Sequence, residues 1–196
     1  ALTPAGRLLN SWANKFAEDL GNRAADRSLA KAFKTYPRNN SLEDVLLKVA
    51  LLNTLYRGGV LDVYKLAKHI SQQDLDRHLR NGDIEAVHLL RKGHGIPTKD
   101  RERDFYSFAT KYCHWHRPDI FPMYDTYVAV ALEWLNRKQP FVDSLSAEKL
   151  RDYVTFVRVV NACRSALKLD WGYKRLDQAL WMLGQHIEGV LGHRHG

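Results

Sequence analysis

Apolar side chains recur every three to four positions along almost the whole chain, and no stretch alternates apolar and polar residues long enough to build a half-buried strand. The pattern predicts an all-α fold with helices over Pro4–Leu20, Asn22–Thr35, Leu42–Tyr56, Leu61–Asn81, Ile84–Lys92, Lys99–His116, Thr126–Asn136, Ala147–Leu169 and Tyr173–Gln185. Breakers separate them at Pro37–Asn40, Gly58–Gly59, Asn81–Gly82, Gly93–Pro97, Pro118–Pro122, Gln139–Ser146 and Trp171–Gly172. Ser41 with Asp44 three positions on reads as a variant capping box. The helix it opens, SLEDVLLKVALLNTLY, is apolar on nearly every face and is expected to run through the middle of the protein.

In RERDFYSFATKYCHWHRPD, the residues Phe105, Phe108, Ala109, Tyr112 and Trp115 make one buried stripe. Ser107, Lys111 and His114 stack beside it as a polar row. That row is either a solvated flank with Lys111 snorkelling to water, or a set of side chains facing a cleft. In the second case Lys111 looks toward Asp125, which opens the next helix after a short Pro-containing turn. An Asp in that place is a helix N-cap; with a lysine at a cleft it is also a chemical pair. Toward the C-terminus, LDWGYKRLDQALWMLG places Tyr173, Leu176, Ala179, Leu180 and Leu183 on one face, read as structural.

Charge narrows the partner. Thirty Lys and Arg stand against 22 Asp and Glu in 196 residues, a formal +8, which draws the chain toward polyanions, nucleic acid first. No window approaches 18 uncharged apolar residues and no leader is read before the first helix, so no membrane partner is expected and the location is taken as cytoplasmic. The length suits one domain, 1–196, or two lobes sharing a cleft, divided near 42–120 and 1–41 plus 121–196; a monomer is expected. Cys113 and Cys163 lack CxxC spacing and are read as reduced residues in helices. Among nine His, the densest cluster is Cys113-His114-Trp115-His116, but on a helix His114 points away from the Cys113 and His116 face. No metal and no cofactor are therefore expected.

A basic helical cleft holding one carboxylate and one amine suits cleavage of an N-glycosidic bond. The carboxylate stabilises an oxocarbenium-like transition state or activates water, and the amine can attack the sugar to give a Schiff base. Aromatic side chains would stack on an extruded base; Tyr112, Trp115, Tyr124 and Tyr127 are the candidates for stacking on the base or contacting phosphate, and His114 is a further substrate-binding candidate.

FPMYDTYVAVAL resembles the segment bearing the essential aspartate of the helix-hairpin-helix DNA glycosylases, particularly the adenine-mismatch branch. LLKVALLNTLYRGGVLDVYKLAKHI is similar to that superfamily's buried helix, polar turn and following helix. The resemblance spans roughly Leu42 to Leu132. It implies two helical lobes around a DNA cleft, double-stranded DNA with a damaged or modified base as partner, and Asp125 as the catalytic carboxylate. It also places Asn53, Leu55, Tyr56 and Arg57 near the site of base extrusion. Family members carry a Gly-x-Gly hairpin before the catalytic helix, where this chain reads RDFYS; Gly93-His94-Gly95 lies earlier, so the hairpin is displaced or absent. One register puts Ser107 where bifunctional members have Lys, implying hydrolysis alone. The other makes Lys111 the amine and implies a lyase step. Arg91, Lys92, Lys99, Arg101 and Arg103 would border the cleft on DNA phosphates, and a second basic group comprises Arg151, Arg158, Arg164 and Lys168.

Overall fold

The structure, a computed structural model, describes residues 1–92 and 104–192. Among them are ten α-helices and no strand, so the fold is all-α. In chain order the helices are α1 (Pro4–Glu18), α2 (Leu20–Thr35), α3 (Leu42–Leu55), α4 (Val63–Ser71), α5 (Leu75–Asn81), α6 (Glu85–Arg91), α7 (Tyr106–His116), α8 (Thr126–Lys138), α9 (Tyr153–Ala166) and α10 (Tyr173–Gly192). A 3-10 turn covers Lys149–Arg151. No described helix is long and apolar enough to cross a membrane.

Side-chain caps set many of these starts. Thr3, Ser41, Asp62, Asp125 and Asp152 each accept a hydrogen bond from a backbone N–H in the first turn of the helix they precede, satisfying a donor that has no partner within the helix. At Ser41 only half of the expected box forms: Asp44 N–H donates to Ser41 Oγ at 3.3 Å, while that hydroxyl turns to Glu43. Two expected helices are each broken in two. Leu61–Asn81 is interrupted at Gln72–Asp74, where Gln72 caps α4 and Asp74 opens α5. Ala147–Leu169 is interrupted at Asp152, whose extended backbone frees its carboxylate to cap Thr155.

The chain divides into two compact units. The first joins Ala1–Arg23 to Pro122–Gly196. In it Leu9, Ala13 and Phe16 of α1 are buried, as are Val128, Leu132 and Leu135 of α8, Phe156 and Val160 of α9, and Leu176, Leu180 and Leu183 of α10. α10 lies against both α1 and α8. Gly184 makes the second contact possible, since a Cβ there would sit 2.0 Å from the Tyr127 carbonyl oxygen. Any other residue would force the two helices apart.

The second unit is Ala24–Phe121. α3 packs on α4 and α7, and α6 on α7. The expectation that α3 is buried all round is corrected: Leu47 and Leu55 are exposed, while its buried face of Val45, Val49 and Leu52 includes a lysine. Lys48 is fully buried. Its ammonium donates to the Tyr36 carbonyl at 2.9 Å, the Arg38 carbonyl at 2.8 Å and Asn39 Oδ1 at 2.8 Å, one acceptor for each N–H. Asn39 Oδ1 also accepts from the Tyr112 hydroxyl at 2.7 Å, and His116 Nε2 lies 3.2 Å away. The Asn39 amide donates in turn to Asp76 at 2.6 Å. Burial drives His116 well below its ordinary range, with the Lys48 charge adding to the effect, so its ring is neutral.

Burial likewise lowers Lys48 from 10.5 to about 8, against the pull of Asp76 and Asp44. Between these two values the unfolded chain holds a proton that the native chain has released, so stability rises with pH across that window and is flat below it. Relative to Lys48→Met, the wild type should gain about 3 kcal/mol between pH 8 and 10.5, read by urea titration at each pH. At pH 7, Lys48→Ala should cost about 2–4 kcal/mol, because it leaves buried carbonyls without donors and opens a void.

Candidate functional site

The Asp125 segment is built by its neighbours in the first unit. The Tyr153 hydroxyl donates to the Pro122 carbonyl at 3.1 Å and fixes the extended run before α8. Met123 and Tyr124 are buried behind it, Tyr124 edge-on to Phe156. Asp125 is extended, and its Oδ1 accepts from Tyr127 N–H at 3.0 Å. The residue is half-buried. Burial raises the Tyr124 phenol above its ordinary value, and a hydrogen bond with the Arg151 guanidinium opposes that rise. Arg151 therefore stands at the side of the residue that precedes Asp125. Tyr127 is half-buried with its ring edge-on to Trp181, so its side chain is held in the packing of α8 on α10.

The amine candidate lies in the second unit. The solvated-flank expectation for α7 is overturned: Lys111 is 4% exposed, His114 fully buried and Ser107 half-buried. The reason is that α7 is covered on more than its aromatic stripe, with Thr110 and Cys113 buried as well. Lys111 Nζ lies 3.5 Å from the Tyr56 carbonyl and 5.9 Å from the centre of its ring. Tyr56 is anchored by its hydroxyl, which donates to Asp26 at 2.5 Å, and Trp115 meets its ring edge-on. His114 Nδ1 is 2.7 Å from the Phe121 carbonyl. Tyr112 is committed to the Lys48 cluster. Burial holds both cysteine thiols protonated, pushing Cys163 up to about 12 and Cys113 further.

Asn53, Leu55, Tyr56 and Arg57 surround the turn after α3. The Asn53 side chain clasps that turn, accepting from Val60 N–H and donating to the Val60 carbonyl, both at 2.9 Å. Arg57 is exposed and has a φ of 48°, a left-handed backbone uncommon for a residue with a Cβ. Gly58 lets the turn press against Phe108, where a Cβ would come within 3.0 Å. Leu55 is exposed on the last turn of α3. Together the clasp and the glycine hold an arginine and a leucine at the surface of the turn.

Of the basic group before α7, Arg91 is engaged by Asp104 in a two-pronged ion pair, both contacts at 2.9 Å, and stacks over Tyr106. Lys92 is exposed. Gly93, Gly95, Lys99, Arg101 and Arg103 lie outside the described residues, as does the start expected for the helix at Lys99. No group of three His, Cys, Asp or Glu able to hold a metal ion occurs among the described residues. Sequence reasoning did not single out Asp26 or Lys48. The second carried a signal, since it sits three positions from Val45 and four from Leu52 on the buried face of α3.

Residues 8–120 match the family model described as HI_0787_N, an N-terminal domain. The chain belongs to this family. It is also 36% identical over 147 residues to an uncharacterized protein of Haemophilus influenzae, an alignment covering 74% of this chain and 69% of the relative. No solved structure matches. The family range contains Lys48, Asn53, Tyr56, Arg57 and Lys111 and stops short of Asp125.

The clasp gives a direct test. Asn53→Ala removes two hydrogen bonds to the turn and should destabilise the protein by about 1–3 kcal/mol. Hydrogen exchange at Val60 N–H should accelerate in that variant; unchanged protection would show that the turn is held by other contacts.

Proposed function

We propose that the chain is a DNA glycosylase-like base-excision enzyme on a two-lobed, helix-hairpin-helix-like scaffold, which cleaves the N-glycosidic bond of a modified or damaged base extruded from double-stranded DNA. The observation that carries the reading is the Asp125 carboxylate. It stands half-buried at the N-terminus of α8, oriented by Tyr127 N–H, with Tyr124 and Arg151 beside it. As a base leaves C1′ of the deoxyribose, positive charge develops on the sugar. A fixed carboxylate stabilises that charge without having to reorganise, and also orients the attacking water. Arg151 supplies a cation for a neighbouring phosphate.

Of the two registers for the amine, hydrolysis without a lyase step is the better supported. Lys111 is 4% exposed and directed at Tyr56, so its ammonium acts as a fixed charge rather than as a nucleophile open to the sugar. A non-catalytic nucleic-acid-binding module is the second reading. Its support is that the Asp125 carboxylate already has a structural use as a helix cap.

Asn caps helices about as well as Asp, so Asp125→Asn separates the two roles. The variant should keep its melting temperature while losing about a hundredfold or more of base release from duplexes carrying a panel of modified bases. Borohydride should trap no adduct with the wild type. An adduct lost in Lys111→Ala would restore the lyase register. DNA binding with no product from any duplex would leave the module.

A further inference from the structure

From Lys149 to Arg175 the chain carries seven Lys and Arg side chains against two Asp, a surplus of five out of eight for the entire protein. α9, in the middle of this stretch, has no acidic residue, and its exposed line runs Val154, Arg158, Ser165. Arg151 and Lys168 are exposed at its two ends, Lys168 with a left-handed φ of 56° that turns the chain toward α10. In that turn the Arg164 guanidinium lies 5.3 Å over the Tyr173 ring and donates to the Trp171 carbonyl at 3.1 Å. Arg175 lies 4.6 Å over the Trp171 ring and donates to Asn10 Oδ1 at 2.9 Å.

None of Arg158, Arg164, Lys168 and Arg175 has an ion pair among the described residues, whereas Arg77, Arg91, Arg117 and Arg137 each meet a carboxylate. A guanidinium stacked on a ring and held by one edge keeps its other N–H groups pre-oriented, so little side-chain entropy is lost when an anion docks. A row of such groups with no counter-charge of its own fits a partner with regularly spaced negative charges. An anionic membrane fits less well, because α9 presents only Val154 as a large exposed apolar side chain and has no apolar face to insert.

We propose that the exposed face of α9 and the α9–α10 turn form a contact surface for the phosphate backbone of nucleic acid, carried by Arg158, Lys168 and the stacked Arg164 and Arg175. The surface does not depend on any chemistry at Asp125. Because Arg151 ties its near end to Tyr124, a backbone held on it is led toward the residue before Asp125.

The test is fluorescence anisotropy of a short labelled duplex and the matching single strand, titrated at several salt concentrations. The wild type is compared with Arg158→Glu/Lys168→Glu and with Arg27→Glu/Lys34→Glu, which makes the same charge change at exposed positions of α2. The α9 variant should bind at least about tenfold more weakly at low salt, with a salt slope smaller by about 2, while the α2 variant should stay within about threefold of wild type. Asp125→Asn should bind no more weakly than the wild type, which separates failure of this surface from failure of the proposed chemistry. Equal losses in the two charge variants would overturn the proposal, reducing the attraction to diffuse charge. So would wild type that binds phosphatidylglycerol vesicles but neither nucleic acid.

Discussion

Unit two is organised around a cation that water cannot reach. Moving an ammonium out of water costs several kcal/mol, and the cost is offset only when every N–H finds an acceptor in good geometry. Lys48 finds its three within 2.9 Å, two of them backbone carbonyls of the segment between α2 and α3. That segment must hold one conformation for the lysine to be buried at all. Asn39 extends the demand, since its carbonyl oxygen takes the Tyr112 hydroxyl from α7 and its amide holds Asp76 of α5. A single charged group thereby fixes four parts of the unit, and none can shift without stranding a polar atom. Such a cluster contributes less to stability than to uniqueness of the fold, because apolar residues of the same volume would pack without specifying which segment lies where.

The cluster also determines what α7 can present. Tyr112 and His116, one turn apart, face Lys48 and Phe33, and this sets the rotation of the helix. Lys111, one residue before Tyr112, is thereby turned away from the cluster and onto Tyr56, which Asp26 holds through its hydroxyl. The amine is thus a buried charge with a defined direction. In unit one the corresponding constraint is steric. Gly184 allows α10 to touch the backbone of α8 at Tyr127, two residues beyond Asp125, and the Tyr153 hydroxyl ties down Pro122 on the other side. The carboxylate is held from both directions by contacts that have nothing to do with its charge.

Much of this was legible in the sequence. The 3.6-residue period gave the fold class, and capping residues placed the starts of α3 and α8, because one side-chain oxygen accepting one N–H is a local event that needs no distant partner. Breaks without glycine or proline were not legible: SQQD between α4 and α5 and KLRD before α9 have ordinary helical propensity, yet the chain turns at both, at the second with the Asp152 carboxylate capping a new helix. Lysines were the hardest to place. Lys48 and Lys111 sit on helices that read as core, and exposure is the usual fate of a lysine. Each is buried because acceptors arrive from elsewhere in the chain, the backbone at Tyr36 and Arg38 for one and at Tyr56 for the other. Periodicity carries no trace of a carbonyl supplied by another segment. The ion pair of Arg91 was hidden for the same reason, its carboxylate partner being 13 residues away.

The family model covers residues 8–120, nearly all of the unit that the buried lysine organises together with most of α1, while the acidic residue proposed to act on DNA and the basic face of α9 lie beyond it. This division has a physical logic. A cluster satisfied by mutual hydrogen bonds is costly to alter at any one member and offers a partner little to bind. A surface of basic groups with no ion pair among the described residues has the opposite character, because each charge acts nearly alone and can be lost or moved at small cost to folding. Function here has to be argued from Asp125, Arg151 and the α9 face, whose geometry is their own, rather than from the family to which the chain belongs.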